Sequence, residues 1–168
     1  MCIRDSFYAP YDVTIVTERP ASGSYAMAVI GGNPQDVGLL TCVDADPACS
    51  LGTAWLDCAP FPETAEGELI YNENGDGAIV FVFAEVFSKF SERSLEDSVK
   101  RIATTTAHEL GHSFGLAHAL GENCIMNRDS TGLAAEFCVA PFHMDDGHCG
   151  PGSIQDAPAI LNGVFVQD

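Results

Sequence analysis

Basic residues are scarce in this chain. Its 168 residues include 7 Lys and Arg against 24 Asp and Glu, which gives a formal net charge of −17. Such a surface repels polyanions, so nucleic acids and anionic membranes are poor partners. Strong acidity is compatible with a secreted protein.

Long apolar runs are missing as well. The longest one, Ala78 to Ala84, has seven residues, whereas roughly 20 are needed to span a bilayer. The sequence therefore predicts no membrane span, and it shows no signal peptide. Hydrophobic residues make up 46% and charged residues 18% of the chain, which is typical of a folded globular protein. This length favours a single domain over residues 1–168, and we expect a monomer.

No two cysteines have the CxxC spacing of a zinc ribbon or a thioredoxin-type site. Instead, seven cysteines are scattered along an acidic chain, which favours disulfides formed in an oxidising, extracellular compartment. Residues 1–6 (MCIRDS) look like a non-native leader. Without Cys2, six cysteines remain, enough for three bridges whose connectivity stays open. The alternative is a set of buried free thiols in a cytoplasmic protein.

Four stretches have the alternation, the β-branched content or the apolar character of strands. They are Tyr11–Thr17, Tyr25–Ile30, Gly52–Leu56 and Ala78–Ala84. The last is an unbroken apolar run, which predicts a strand buried on both faces.

One long helix is expected between two end signals. Ser94, with Asp97 three residues later, is typical of a helix N-terminus, and Gly115 favours the left-handed conformation just past a C-terminus. Apolar and small residues recur between them at helical spacing and should face the core. They are Leu95, Val99, Ile102, Ala103, Thr106, Leu110 and Phe114. Beyond Gly121 the chain is expected to be rich in loops, apart from a helix around Ser130–Phe137.

The end of this helix carries the residues that could bind a metal ion. Residues 108–118 (HELGHSFGLAH) match H-E-x-x-H-x-x-G-x-x-H at every fixed position. Residues four apart lie about 6 Å apart along a helix axis and roughly 40° apart around it, so His108 and His112 can converge on one metal ion. A sharp turn at Gly115 would return His118 as the third ligand. Three histidines leave a fourth position open, as in a catalytic zinc site.

Glu109 follows the first ligand and is displaced by about 100° around the helix. It is therefore badly placed as a ligand but can reach a water molecule activated by zinc. This arrangement predicts metal-assisted hydrolysis of a peptide bond, with Glu109 as the general base. The cofactor would be one catalytic zinc ion, and the partner would be a protein or peptide substrate.

The extended motif and a methionine soon after it resemble the metzincin clan of zinc peptidases. The methionine turn is Cys124-Ile125-Met126-Asn127. The resemblance implies that Met126 forms a hydrophobic floor beneath the metal; the alternative is an ordinary core methionine. The sequence of the turn is similar to that of adamalysins, whereas its short spacing from the histidine motif is similar to that of matrixins. The subfamily therefore stays open. The first strand and helix of that fold are not recognisable, which suggests an N-terminally truncated fragment.

The resemblance also implies a fold and a substrate cleft. The fold would be α+β and zincin-like, with a twisted mixed sheet packed on a long active-site helix and a loop-rich part after the methionine turn. Gly52–Leu56 would be the antiparallel edge strand above the cleft, with Trp55 either in the cleft or in the core. An extended substrate would add to this edge as a further strand, and residues 139–145 would line a specificity pocket.

Calcium has weaker support. Residues 72–77 (NENGDG) resemble the start of an EF-hand loop, but its twelfth position is Phe83, where calcium needs a Glu. A plain turn is the better interpretation. The acid pairs Asp44 with Asp46 and Asp145 with Asp146 could bind calcium, but solvated loop acids are the simpler expectation.

Two other functions compete with the peptidase. One is an inactive zinc-binding recognition or adhesion module on the same scaffold, which would need the histidines but not Glu109. The other is a small disulfide-rich structural domain with an accidental motif. The retained glutamate favours the peptidase over the first, and zinc binding would exclude the second.

Overall fold

The computed structural model describes much of the chain, including the whole histidine motif. The described residues are 7–11, 13–22, 25–39, 50–54, 79–88, 94–120, 123–127, 136–138, 141–143 and 154–165. The predictions for the leader, for Trp55 and for the calcium-binding acids lie outside these ranges. So do five of the cysteines, namely Cys2, Cys42, Cys49, Cys58 and Cys149.

A small mixed sheet forms the first layer of the fold. Its strands are β1 (Met27–Ile30), β2 (Gly52–Thr53) and β3 (Ile79–Val82). The order is β1-β3-β2, with β1 parallel and β2 antiparallel to the central β3. The predicted antiparallel strand is present at Gly52 and Thr53, at the edge of the sheet that the described residues form, and Ala54 is not part of it.

Two helices follow the sheet: the short α1 (Ala84–Ser88) and the long α2 (Leu95–Ser113), which packs chiefly on β3. Farther along, β4 (Phe142–His143) pairs antiparallel with β5 (Ile154–Gln155), and α3 (Ala157–Phe165) begins two residues later. A 3-10 helix, Pro34–Val37, follows β1. This mixture of a small sheet and few helices is compatible with the expected α+β class.

The main apolar core joins α2 to the segments that follow it. Its buried residues are Phe7, Tyr8, Ala103, Ala107, Leu116, Ala119, Cys124, Ile125, Met126, Phe137, Cys138, Ala157 and Leu161. A smaller cluster of Phe83 and Val86 forms beneath Leu51 and Phe81. Helix α2 thus contacts the sheet on one side and the main core on another, which fixes the helix that carries the motif.

Two strand predictions need correction. Tyr11–Thr17 forms no strand at its described residues: the Tyr11 ring packs 6.0 Å from that of Phe165, and Val16 is 54% exposed. A β-branched stretch becomes a strand only where a neighbour pairs with it. Among the described residues of the Ala78–Ala84 run, Ile79–Val82 form the strand, and this strand is not buried on both faces. Ile79 is 40% exposed while Val80 is fully buried.

The prediction for the long helix was right in position and partly wrong in detail. Helix α2 begins and ends where expected, but Leu95 and Val99 in its first turns are 82% and 45% exposed and do not face the core. The helix expected around Ser130–Phe137 does not include Glu136 or Phe137, and its other residues lie outside the described ranges. Helices α1 and α3 were not predicted. No helix among the described residues is long and apolar enough to cross a membrane.

Candidate metal centre

Helix α2 is closed at both ends by local hydrogen bonds. At its start, the Oγ of Ser94 accepts the backbone N–H of Asp97 at 3.1 Å. At its end, the N–H of Gly115 bonds to the carbonyl of His112 at 3.0 Å, and the N–H of Leu116 bonds to that of Gly111 at 2.9 Å. This pair of bonds is a Schellman motif. Gly115 has a φ of 94°, as the sequence predicted, so the chain leaves the helix in a sharp turn.

The turn brings the three predicted ligands together. Nε2 of His112 lies 3.1 Å from Nε2 of His108 and 3.1 Å from Nε2 of His118. Among the described residues, these three histidines are the group of potential ligands that could hold a metal ion. Two nitrogens bound to one tetrahedral zinc at about 2.0–2.1 Å would lie roughly 3.3–3.4 Å apart. The observed separations are close to that value, so the histidines fit a zinc ion.

The other ring nitrogen of two of these histidines contacts a backbone carbonyl. Nδ1 of His108 lies 2.6 Å from the carbonyl of Ile125, and Nδ1 of His112 lies 2.6 Å from that of Leu116. A carbonyl oxygen can only accept, so both Nδ1 atoms must carry the proton. In the neutral rings, each Nε2 then presents a lone pair.

These lone pairs make the cluster electron-rich. Burial lowers the pKa of His108 to about 3, and the neighbouring His112 contributes in the same direction, so the ring is neutral at physiological pH. Two Nε2 lone pairs 3.1 Å apart cannot form a hydrogen bond with each other. A cation between them removes this repulsion, and a buried carbonyl on Nδ1 is the usual support of a histidine that binds metal.

Glu109 is buried beside the edge strand. Its side chain is 7% exposed, and burial raises its pKa to about 8. A Cβ added to Gly52 of β2 would lie 2.6 Å from Oε1 of Glu109 and 2.7 Å from its Cγ. The carboxyl group therefore occupies the space that a side chain on β2 would fill. A nearby metal cation would favour the ionised form of this group, which a general base requires.

The methionine turn supports the cluster from below α2. The N–H of Asn127 bonds to the carbonyl of Cys124 at 3.0 Å, which closes the predicted turn. Met126 is fully buried, and its Sδ lies close to Gly111: a Cβ added there would be 2.6 Å from the sulfur. The turn thus packs directly against the backbone between His108 and His112.

Cys124 forms a disulfide with Cys138, which ties the turn to the next described segment. The N–H of Ile125 also bonds to the carbonyl of Glu136 at 2.9 Å. Because the carbonyl of Ile125 accepts from His108, these two links help to fix the orientation of a predicted ligand. The predicted use of disulfides is confirmed for this pair.

Sequence reasoning missed Gln155, which lies on β5 and is 8% exposed. Its Oε1 accepts the N–H of Ala117 at 2.8 Å, and its Nε2 donates to the carbonyl of Gly115 at 3.0 Å. A signal existed in the following residues. Asp156 with Pro158 two residues later is typical of a helix start and would have predicted α3, although not the role of the residue before it.

Comparison with known proteins supports the metal centre. A family model described as Peptidase family M54, a family of zinc metallopeptidases, matches residues 69–138, which is less than half of the chain. The match includes the histidine cluster, Glu109 and Met126 but neither Gly52 nor Gln155. Searches of curated proteins and of solved structures found no match. The family match and the three-histidine cluster support a zinc-dependent metallopeptidase that acts on proteins or peptides. They do not support the matrixin-like or adamalysin-like assignment.

Proposed function

We propose that this chain is a zinc-dependent endopeptidase in which His108, His112 and His118 hold one catalytic zinc ion. The observation that carries the proposal is the arrangement of the rings. Three Nε2 atoms converge, with 3.1 Å between the middle one and each of the others. In two of these rings the Nδ1–H group donates to a backbone carbonyl, so the neutral ring carries its lone pair on Nε2, where it can bind a metal.

Glu109 is the general base of the proposed reaction. When bound, zinc would act as a Lewis acid on the scissile carbonyl and make water a nucleophile at neutral pH. Glu109 takes the proton of the attacking water and passes it to the leaving amine. Its position in a buried pocket beside β2 excludes bulk solvent and keeps the carboxylate close to the edge where a substrate would lie.

An extended substrate would bind along β2. Among the described residues, β2 pairs with β3 on one side, and its Gly52 lies next to the Glu109 carboxyl group. A peptide that adds to the sheet as a further strand would gain main-chain hydrogen bonds. Its backbone would then run beside the general base. This supports an endopeptidase, because both ends of such a strand can continue past the site.

The proposal keeps three further parts of the sequence interpretation. Met126 is a floor beneath the metal, which its full burial under α2 supports. The scaffold is metzincin-like, without an assigned subfamily, and residues 1–168 act as one catalytic domain. The protein works outside the cell, for which the acidic composition and the Cys124–Cys138 disulfide are the supporting observations.

The test combines metal analysis with peptide cleavage. The native protein should contain about one zinc per chain and cleave members of a peptide library, and a chelator should abolish the cleavage. Glu109→Gln should keep the zinc while kcat falls roughly 10²–10⁴-fold, because only the general base is lost. Zinc binding without cleavage in either protein would favour the inactive recognition module. Absence of zinc would eliminate the metal site.

A further inference from the structure

The third histidine differs from the other two because no helix holds it. His118 lies in the segment that leaves α2 at Gly115, beyond the last helical hydrogen bonds. Its two neighbours in the chain are fixed by distant groups instead. The N–H of Ala117 bonds to Oε1 of Gln155 at 2.8 Å, and the N–H of Ala119 bonds to the carbonyl of Met126 at 2.8 Å.

The Gln155 amide binds this segment at two points. Besides accepting from Ala117, it donates from Nε2 to the carbonyl of Gly115 at 3.0 Å. The side chain is 8% exposed, so its polar ends are satisfied by the same short stretch of backbone. A buried donor or acceptor that loses its partner is left unsatisfied, which is unfavourable. The amide therefore favours one path of the chain between Gly115 and His118.

Gln155 is itself held firmly by the C-terminal elements. Its backbone pairs with Phe142 in the β4–β5 ribbon. The next residue, Asp156, caps α3 by accepting the N–H of Ala159 at 3.0 Å. Ala157 and Leu161 of α3 are fully buried in the main core. The side chain of Gln155 thus projects from an anchored element rather than from a free loop.

We propose that Gln155 is a positioning residue for the zinc site and that it acts through His118. The proposal rests on the metal site of the proposed function. By holding the backbone before His118, the Gln155 amide keeps the Nε2 atom of that ring 3.1 Å from that of His112. Without this amide, the backbone between Gly115 and His118 can adopt other conformations. Bringing the His118 ring to the metal then costs conformational entropy.

The experiment measures the zinc affinity of the full chain by competition with a chromophoric chelator. Gln155→Met has a similar length but no hydrogen-bonding amide, and it should raise the zinc Kd about 10-fold, the lower end for groups that orient metal ligands. The matched control is Tyr8→Phe. It removes the bond from the Tyr8 hydroxyl to the carbonyl of Ala107 at 3.1 Å, a buried contact with the site helix, and should leave the Kd within twofold.

Measuring Gln155→Met in a second protein background separates a positioning role of Gln155 from a general effect on stability. In a His118→Ala protein the third ligand is already lost, so adding Gln155→Met should cause no further rise in the zinc Kd. An additional 10-fold loss in that background would show that Gln155 acts on the whole site and would overturn the proposal. The double-mutant cycle isolates this coupling.

The remaining outcomes are also decisive. If Gln155→Met binds zinc like the native chain, the proposal is wrong while the metal site stands. If the native chain does not bind zinc, the proposed function itself fails. Should Gln155→Met not fold, Gln155→Asn replaces it: the shorter amide can reach at most one of the two backbone groups. A Kd at least threefold above the native value then supports the proposal, and an unchanged one refutes it.

Discussion

The two helical histidines and the third histidine are positioned by different means. His108 and His112 lie one turn apart on α2, so hydrogen bonds between near neighbours fix their spacing. His118 depends on partners that are distant in sequence, with Gln155 38 residues beyond the amide of Ala117. A short motif is enough to specify the spacing of the two helical histidines, whereas the position of the third histidine depends on the rest of the fold.

The largest effect is expected from removing a ligand. A structural zinc site is worth about 10–16 kcal/mol, so one of three or four ligands accounts for roughly 3–4 kcal/mol, or about 10²–10³-fold in Kd. His112→Ala and His118→Ala should each weaken zinc binding by this amount in a chelator competition. His143→Ala, outside the motif, is the control. Equal zinc affinity in His118→Ala and the native chain would mean that the loop histidine is no ligand.

Removing the disulfide should have the next largest effect. It should lower the stability of the whole fold rather than that of helix α2 alone. The bridge between Cys124 and Cys138 closes a loop with a sequence separation of 14. In the chain-entropy account, a loop of about this length contributes roughly 3 kcal/mol. The Cys124→Ala/Cys138→Ala protein should lose about that much free energy of unfolding in urea. An unchanged midpoint would show that the turn is held by its other contacts.

What could be predicted from the sequence follows the same contrast. The ends of α2 and the left-handed Gly115 depend on contacts within a few residues, and each was predicted correctly. The convergence of the three histidines was also predicted from the motif, although the contacts that hold the segment before His118 come from Gln155, far along the chain. Strand β1 was also found, because a short apolar run that ends at Gly31 and Gly32 is a local signal. Tyr11–Thr17 also has a local signal yet forms no strand at its described residues, since pairing needs a neighbour that a local pattern does not specify.

The supporting contacts of the site were beyond sequence reasoning. A glutamine that bonds to two backbone groups leaves no pattern in composition or periodicity, and Gln155 was missed for this reason. The same holds for the approach of Gly52 to Glu109, because these residues are brought together by the packing of α2 on the sheet. The chemistry of a metal site is thus more visible in a sequence than the framework that supports it.

Gly52→Ala tests whether this remote strand determines the position of Glu109, the proposed general base. The new Cβ would lie 2.6 Å from Oε1 of Glu109, a distance that forces the carboxyl group or the strand to move. A misplacement of about 1 Å can cost roughly 10²-fold in rate, so kcat/KM for a peptide substrate should fall about 10–100-fold while the zinc Kd stays unchanged. Thr53→Ala, on the same strand, is the control. Full activity in Gly52→Ala would argue against any influence of β2 on Glu109.

The smallest effect is expected at the helix end, where the local and the remote means of support meet. Gly115 has a φ of 94°, and its Cα lies between the last turn of α2 and the segment that Gln155 holds. A side chain in the left-handed region costs about 1–2 kcal/mol, so Gly115→Ala should lower the free energy of unfolding by that amount. Ser113→Ala, two residues earlier in regular helix, is the control.

If local strain is the only consequence of Gly115→Ala, zinc affinity should not change. If the chain instead relieves the strain by leaving the turn, the zinc Kd should rise as well, and combining Gly115→Ala with Gln155→Met should then add little to either single loss. This outcome would show that the turn and the distant amide fix one and the same path of the chain to His118.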